Sequence, residues 1–375
     1  YLAMANLESN PSKKMEWINQ ALALYHISPI YVEDTNRASL YDSLSARKTH
    51  QVSDMQPKVT VIMPVYNAGD AVRTAIDSVL EQTWSNLELL VVDDCSMDHT
   101  VEIIEEYCRK DERVRLIRAE SNGGPYVARN LALKVATGEF VTCNDSDDWS
   151  HPEKLERQVL HLQQNPSVVA NTSQQARMTE ELRFYRRGNF GSYIFSNMSS
   201  LMFRRQVVLD KVGYWDSVRF SADSEFIRRI RKVFGNQAVQ EVSTGPLSFP
   251  RQSENSLTGN SATGYNGFFM GARQEYFEAF TYYHETAANL KYEFPLTTRP
   301  FAVPELMWPT REAKQGGRRH FHVIIASDFR IDDDSNMEEI KAQKQMGLRT
   351  GLIQMYRYDY DPIKKMNPKI REMLD

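Results

Sequence analysis

Cysteine is almost missing: Cys95, Cys108 and Cys143 are the only three in 375 residues. They show no metal-type spacing, and any disulfide scheme leaves one unpaired, so a reducing compartment is the simpler expectation. Long apolar runs are missing too, since none approaches the ~20 residues that a membrane-spanning helix needs. There is no excess of positive charge. The formal charge is −4, which argues against a nucleic-acid-binding surface. The basic runs Arg183-Phe184-Tyr185-Arg186-Arg187 and Arg228-Arg229-Ile230-Arg231-Lys232 read as solvated faces or anion contacts. No internal repeat is found. The opening Tyr1-Leu2-Ala3-Met4 is no secretory leader and lacks an initiating Met, so the expectation is a trimmed piece of a longer chain whose absent termini could carry an anchor.

What is present is ordinary for a globular protein: 41% hydrophobic and 25% charged residues. The length allows a large core and two domains. Residues 11–26 read as an amphipathic helix, with Pro11 near its start and Met15, Ile18, Leu22 and Tyr25 at helical spacing. With the polar stretch that follows, they make a helical N-terminal appendage over residues 1–56. Strand and helix patterns then alternate. Val59–Val65, Leu87–Val92, Val114–Ile117 and Phe140–Cys143 are strand candidates, and apolar helix faces separate them. Such alternation implies parallel β-α-β units with right-handed crossovers. A main α/β domain over 57–265 is expected, with a polar, mobile loop at 251–264. A helical and Pro-rich connection at 266–310 follows, and then the start of a second Rossmann-like domain at 311–375.

Chemistry concentrates where strands end. Asp145-Ser146-Asp147-Asp148 follows the run Phe140-Val141-Thr142-Cys143. Two carboxylates about 5 Å apart repel by roughly 3 kcal/mol at an effective dielectric of 20. A divalent cation relieves that repulsion, and oxygen-only ligands favour Mg²⁺ or Mn²⁺. The bland alternative is an acidic helix start favoured by the dipole. Asp93-Asp94 closes a second apolar run, and two acidic strand tips of one sheet would meet at its carboxyl edge, where ligands bind. Asp94 alone could equally be a helix cap or an Asx turn.

Val61-Ile62-Met63-Pro64-Val65-Tyr66-Asn67 and Leu89 to Ser96 begin a series that continues through Asn122-Gly123-Gly124, Ala128-Arg129-Asn130, Ala136 to Phe140, and Asp145 to Asp148. In this order, over roughly Lys58 to Leu257, they resemble the family 2 glycosyltransferases, which have the GT-A fold. Gly213-Tyr214-Trp215-Asp216 and Ala222-Asp223-Ser224-Glu225-Phe226 resemble forms in bacterial capsule and surface-polysaccharide transferases. The resemblance implies that Asp94 accepts the uracil imide N–H of a UDP-sugar, with Pro64 and Tyr66 lining the same base pocket. It implies that Gly123, Arg129, Asp145 and Ser146 also serve the nucleotide-sugar, and that Asp147 and Asp148 hold Mn²⁺ or Mg²⁺. Asp223 takes the place of the catalytic base and Glu225 is the reserve, although helix capping is an even alternative for Asp223. The family's usual Glu before that Asp is Ala222 here. Trp215 and Asp216 are expected at the acceptor site, with core packing the alternative for Trp215. Arg251 and Ser253 lie where the family has a loop over the diphosphate, without the histidine often found there.

The expectation is an inverting, metal-dependent hexosyltransferase of the bacterial cytoplasm, at or near the inner face of the membrane. It would move a sugar from a nucleotide-sugar to a hydroxyl of a glycan or lipid-linked glycan. Peripheral association with the membrane or with other polysaccharide-assembly proteins is part of that expectation. Two competitors stand beside it: a catalytically silent nucleotide-sugar-binding or glycan-binding module of a larger polymerase, and a sugar nucleotidyltransferase.

Overall fold

The computed structural model describes residues 1–33, 37–47, 57–186, 191–252, 271–310, 320–331, 334–355 and 365–374. The chain opens with helices α1 (Leu2–Leu7) and α2 (Pro11–Ala23). Asn10 caps α2 by accepting the Lys13 amide at 3.2 Å, and Pro11 takes the first helical turn, where its missing N–H costs nothing. Two short antiparallel strands follow, β1 (Ile30–Val32) and β2 (Leu44–Ala46).

The alternating region then builds one large sheet. Its parallel part comprises β3 (Val59–Val65), β4 (Leu87–Asp93), β5 (Val114–Arg118) and β6 (Phe140–Cys143). Every residue of β3, β4 and β6 is buried, as continuous apolar runs covered on both faces require. Helices α3 (Ala71–Leu80), α4 (Thr100–Lys110) and α5 (Pro125–Val135) link these strands. Across the sheet the order is β5-β4-β3-β6. The chain thus starts in the middle, works outward to β5, and returns to the other side of β3. The carboxyl edge between β3 and β6 is a topological switch point, the place where open α/β sheets bind ligands.

Beyond β6 the sheet becomes mixed. β7 (Trp149–Ser150), α6 (Lys154–Gln164), β8 (Ala170–Gln175), β9 (Phe195–Ser196), β10 (Met202–Arg204), α7 (Arg205–Lys211), α8 (Ala222–Phe234) and β11 (Val239–Phe249) follow in the chain. β10 pairs antiparallel with both β6 and β8, β8 pairs parallel with β11, and β7 closes on β11. Gly235 stops α8 at φ 96, a left-handed conformation that glycine takes without penalty.

The N-terminal segment shares its core with this sheet. Ile18, Leu22, Ile30, Tyr41 and Leu44 pack with Trp149, Met178, Leu247 and Phe249. Polar ties reinforce the contact: Glu153 accepts the Ser28 amide at 2.9 Å, and His151 Nε2 lies 3.0 Å from the Ser28 carbonyl.

After helix α9 (Ala272–Thr286) come β12 (Val323–Ser327), α10 (Asp334–Gln345) and β13 (Thr350–Gln354), a parallel pair with its crossover helix, and then α11 (Pro368–Arg371). Arg371 fixes this unit to α9 through Glu275 at 2.6 Å and Glu278 at 3.3 Å. The fold is thus a mostly parallel α/β sheet domain with a helical N-terminal segment and a further β-α-β unit, as the sequence pattern predicts. Among the described residues no helix is long and apolar enough to cross a membrane.

Candidate active site

The tips of β3, β4 and β6 place Tyr66, Asp94 and Asp145 along one edge. Strands lie ~4.8 Å apart, so β4 and β6, with β3 between them, are about 10 Å from each other. Pro64 is buried within β3, whereas Tyr66 stands free at the tip, half-exposed. Asp94 is buried, and its two carboxylate oxygens accept the Gly123 and Gly124 amides, each at 2.8 Å. Burial pushes its carboxyl up, and those two amides pull it back. Gly124 has φ 88, and a Cβ there would lie 3.3 Å from the Arg219 Cα, so the turn that feeds α5 needs glycine. Arg219 in turn clamps Asn122, donating to its side-chain and backbone oxygens at 2.8 and 2.7 Å.

Arg129 is the centre of the arrangement. It is only 3% exposed, and its guanidinium donates to Asp145 at 3.0 Å and to Asp223 by a second, short bond. Tyr126, one helical turn before it, donates its hydroxyl to the other Asp223 oxygen at 2.8 Å. The Arg129 guanidinium also lies 5.0 Å from the Tyr126 ring centroid, a cation–π contact. Burial works against charge on Arg129, but Asp223, Cys143 and Asp145 outweigh it and hold the guanidinium charged. One residue of α5 thus joins the first carboxylate of the acidic turn to the first turn of α8. Arg129 is committed to these carboxylates rather than open to a diphosphate.

The acidic turn itself is crowded. Asp145, Ser146, Asp147 and Asp148 are half-buried, and the Asp148 amide closes the turn on the Asp145 carbonyl at 3.2 Å. Burial first, and then the neighbouring carboxylates, raise Asp147 above and Asp148 well above the usual range. Two basic residues flank the turn. Lys154 is buried, donates to Asn144 at 3.3 Å and Ser150 at 3.1 Å, and is lowered to about 8 by burial against the pull of Asp148 and Asp145. Arg251 donates its amide to Asp148 at 2.9 Å and its Nε to the Asp147 carbonyl at 3.3 Å. The Arg251 guanidinium is anchored on Asp42 and lies over the Tyr41 ring at 4.3 Å. The N-terminal segment therefore reaches the acidic turn. Ser253, with most of the loop expected at 251–264, lies outside the described residues.

Among the described residues no group of three or more His, Cys, Asp or Glu side chains is preformed for a metal ion. The chemistry of Asp147 and Asp148 nonetheless fits a divalent cation: the donors are oxygen-only, and burial first and then the neighbouring carboxylates push both toward the protonated form, the second of which a cation would relieve.

Further expectations are corrected. Trp215 does not face an acceptor: it is 2% exposed and packs against Phe203 and Phe226, with ring centroids 5.6 and 4.6 Å away. Asp216 is buried with it, accepting from Arg299 at 2.8 Å on both oxygens and from Tyr276 at 2.9 Å. Glu225 is fully buried and paired with Arg229 at 2.7 Å and His284 at 2.9 Å, so it is no reserve base. Arg229 is accordingly a core residue within a run that reads as a solvated face. A depression of about 560 Å³ between α4 and β5, lined by Glu105, Cys108 and Arg115, contains none of the expected site residues.

Sequence reasoning missed Tyr126, Arg219 and Lys154 as parts of the site. For Tyr126 a signal existed, since it lies three residues before Arg129 and therefore on the same helix face.

Known proteins resemble this chain over part of its length. The family model described as glycosyl transferase family 2 matches residues 60–227. An uncharacterized glycosyltransferase of Haemophilus influenzae is 42% identical over 115 residues, covering 31% of this chain and 46% of the relative. A Bacillus subtilis protein named "Putative teichuronic acid biosynthesis glycosyltransferase TuaG" is 43% identical over 121 residues, 32% of this chain and 48% of the relative. The chain thus matches less than half the length of either. The crystal structure of S. aureus TarS 1-349 in complex with UDP-GlcNAc overlaps 53% of this chain and 60% of its own, at 24% identity and a TM-score of 0.44.

Proposed function

Residues 60–227 belong to glycosyl transferase family 2, and from that premise we propose that the chain moves a sugar from a nucleotide-sugar, a UDP-sugar by our reading, to a hydroxyl of a glycan acceptor in bacterial polysaccharide synthesis. The observation that carries the proposal is the Arg129 bridge from Asp145 to Asp223, at the switch-point edge that Asp94 also borders. The polysaccharide role is supported by the name of the Bacillus subtilis relative. The acceptor is a free glycan or a lipid-linked one, and the second would bring the chain to the inner face of the membrane.

Each residue has a defined task. Asp94 keeps lone pairs beyond the two amides it accepts, and can take an imide N–H of uracil. Pro64 and Tyr66 would flank the base, with the exposed Tyr66 ring offering a face for stacking. Gly123, Asp145 and Ser146 would contact the ribose and diphosphate. Mn²⁺ or Mg²⁺ held by Asp147 and Asp148 would stabilise the negative charge growing on the departing diphosphate. Asp223 would take the proton of the acceptor hydroxyl, with Tyr126 and Arg129 fixing its carboxylate in place. A single displacement of this kind inverts the anomeric carbon.

A nucleotidyltransferase fits less well. The loop after β3 ties its Gly69 amide to Thr100 at 2.8 Å and Asp98 at 3.1 Å instead of presenting it to a phosphate. The test is transfer from a panel of UDP-sugars by the wild type, Asp147→Asn and Asp223→Asn. Both variants should fall by at least about 100-fold; unchanged turnover in both removes the site.

A further inference from the structure

Ser221 immediately precedes α8 and stands in the left-handed region, at φ 72 and ψ −1. Non-glycine residues avoid this region, and those found there cluster where a surrounding structure holds them for a purpose. A serine at a helix start ordinarily turns its hydroxyl onto the first helical N–H groups. Ser221 makes no such bond. Its Oγ instead receives Arg273 Nη1 at 2.6 Å, from a residue 52 positions later in the chain. Arg273 sits in the first turn of α9, outside the family-matched stretch, with its guanidinium 4.9 Å from the Phe220 ring centroid. Asp223 is two residues beyond Ser221, in the first turn of α8, and its amide meets the Tyr126 hydroxyl at 3.4 Å. Burial lowers the Arg273 guanidinium, while Tyr126 and Asp223 raise it, so the arginine lies in the electrostatic field of the same cluster.

We propose that Arg273 is a positioning residue: by holding Ser221 in its left-handed turn, it sets the direction in which α8 presents Asp223 to the acceptor hydroxyl. The inference rests on the transfer reaction proposed above. It makes α9 part of the catalytic unit, because the backbone that aims Asp223 is fixed from a helix that the family-matched region does not contain. Small misplacements of a reacting group are costly, a shift of 1 Å being worth about 100-fold in rate.

The experiment compares Arg273→Ala, Ser221→Ala, the double variant and Arg273→Lys in the full chain. It measures UDP release from a panel of UDP-sugars with acceptor present, and thermal unfolding of each protein. Each alanine variant should lose about 10- to 100-fold in kcat with donor KM within about twofold of wild type. The double variant should be no slower than the worse single, and Arg273→Lys, which keeps a donor for Oγ, should recover part of the rate. Wild-type kcat in Arg273→Ala overturns the inference, as do multiplicative losses in the double variant or a loss explained by unfolded protein. Turnover in the wild type with no effect of any variant defeats this inference alone. No turnover by the wild type with any donor defeats the proposed function, and this inference with it.

Discussion

Replacing Arg129 by methionine keeps most of the side-chain volume and removes the charge that joins Asp145 to Asp223. Unit charges ~4 Å apart at an effective dielectric of 20 attract by about 4 kcal/mol. The pair with Asp145 counts for little, because that carboxylate is 37% exposed and screened by solvent. The pair with Asp223 counts more, since that side chain is 21% exposed and the arginine 4%. Relief from burying a guanidinium offsets part of the loss. The expected net cost is about 3 kcal/mol, near the lower end for breaking a buried pair. Urea unfolding followed by tryptophan fluorescence reads it directly. Adding Asp223→Asn to Arg129→Met should recover some of the stability, because the orphaned carboxylate is then gone. A loss below about 0.5 kcal/mol, or a double variant less stable than Arg129→Met, would refute the idea that this bridge organises the site.

Two other consequences are open to measurement. Burial lowers His151 to about 4, its Nδ1 accepting the Glu153 amide at 3.2 Å; because the folded value lies below the unfolded ~6.5, stability is full above pH 6.5 and falls as pH drops toward 4, by about 3 kcal/mol. Denaturant titrations of the wild type and His151→Gln at pH 7 and pH 4.5 isolate the contribution, because other groups shift both proteins alike: the wild type should lose more stability than the variant, and equal changes would contradict it. Asp42→Ala removes the carboxylate that anchors Arg251 on the N-terminal segment; sugar transfer should drop about tenfold, and an unchanged rate would show that this anchor does not support the acidic turn.

Much of the sheet was legible because its strands are buried on both faces and therefore read as unbroken apolar runs. Val59–Val65 and Phe140–Cys143 fall where the pattern puts them, and Pro125 does open α5. The carboxylates at the strand tips were legible because charge after an apolar run is conspicuous. Other roles depended on partners far away in the chain. Trp215 could face a sugar or a core, and only the contacts with Phe203 and Phe226 decide between them. Asp216 finds Arg299, 83 residues later, and Glu225 finds His284, 59 residues later. No local spacing encodes such pairings. The N-terminal segment looked like a separate appendage because its polar stretch hides Tyr41 and Asp42, the residues that meet the acidic turn through Trp149 and Arg251.

Calorimetric titration of UDP into the protein, with Mn²⁺ and then with chelator, tests the central claim most directly. If Asp147 and Asp148 share one cation with a diphosphate at the switch point, binding needs the ion and weakens at least about tenfold in Asp147→Asn. Equal affinity with and without the ion, in wild type and variant alike, would contradict the account.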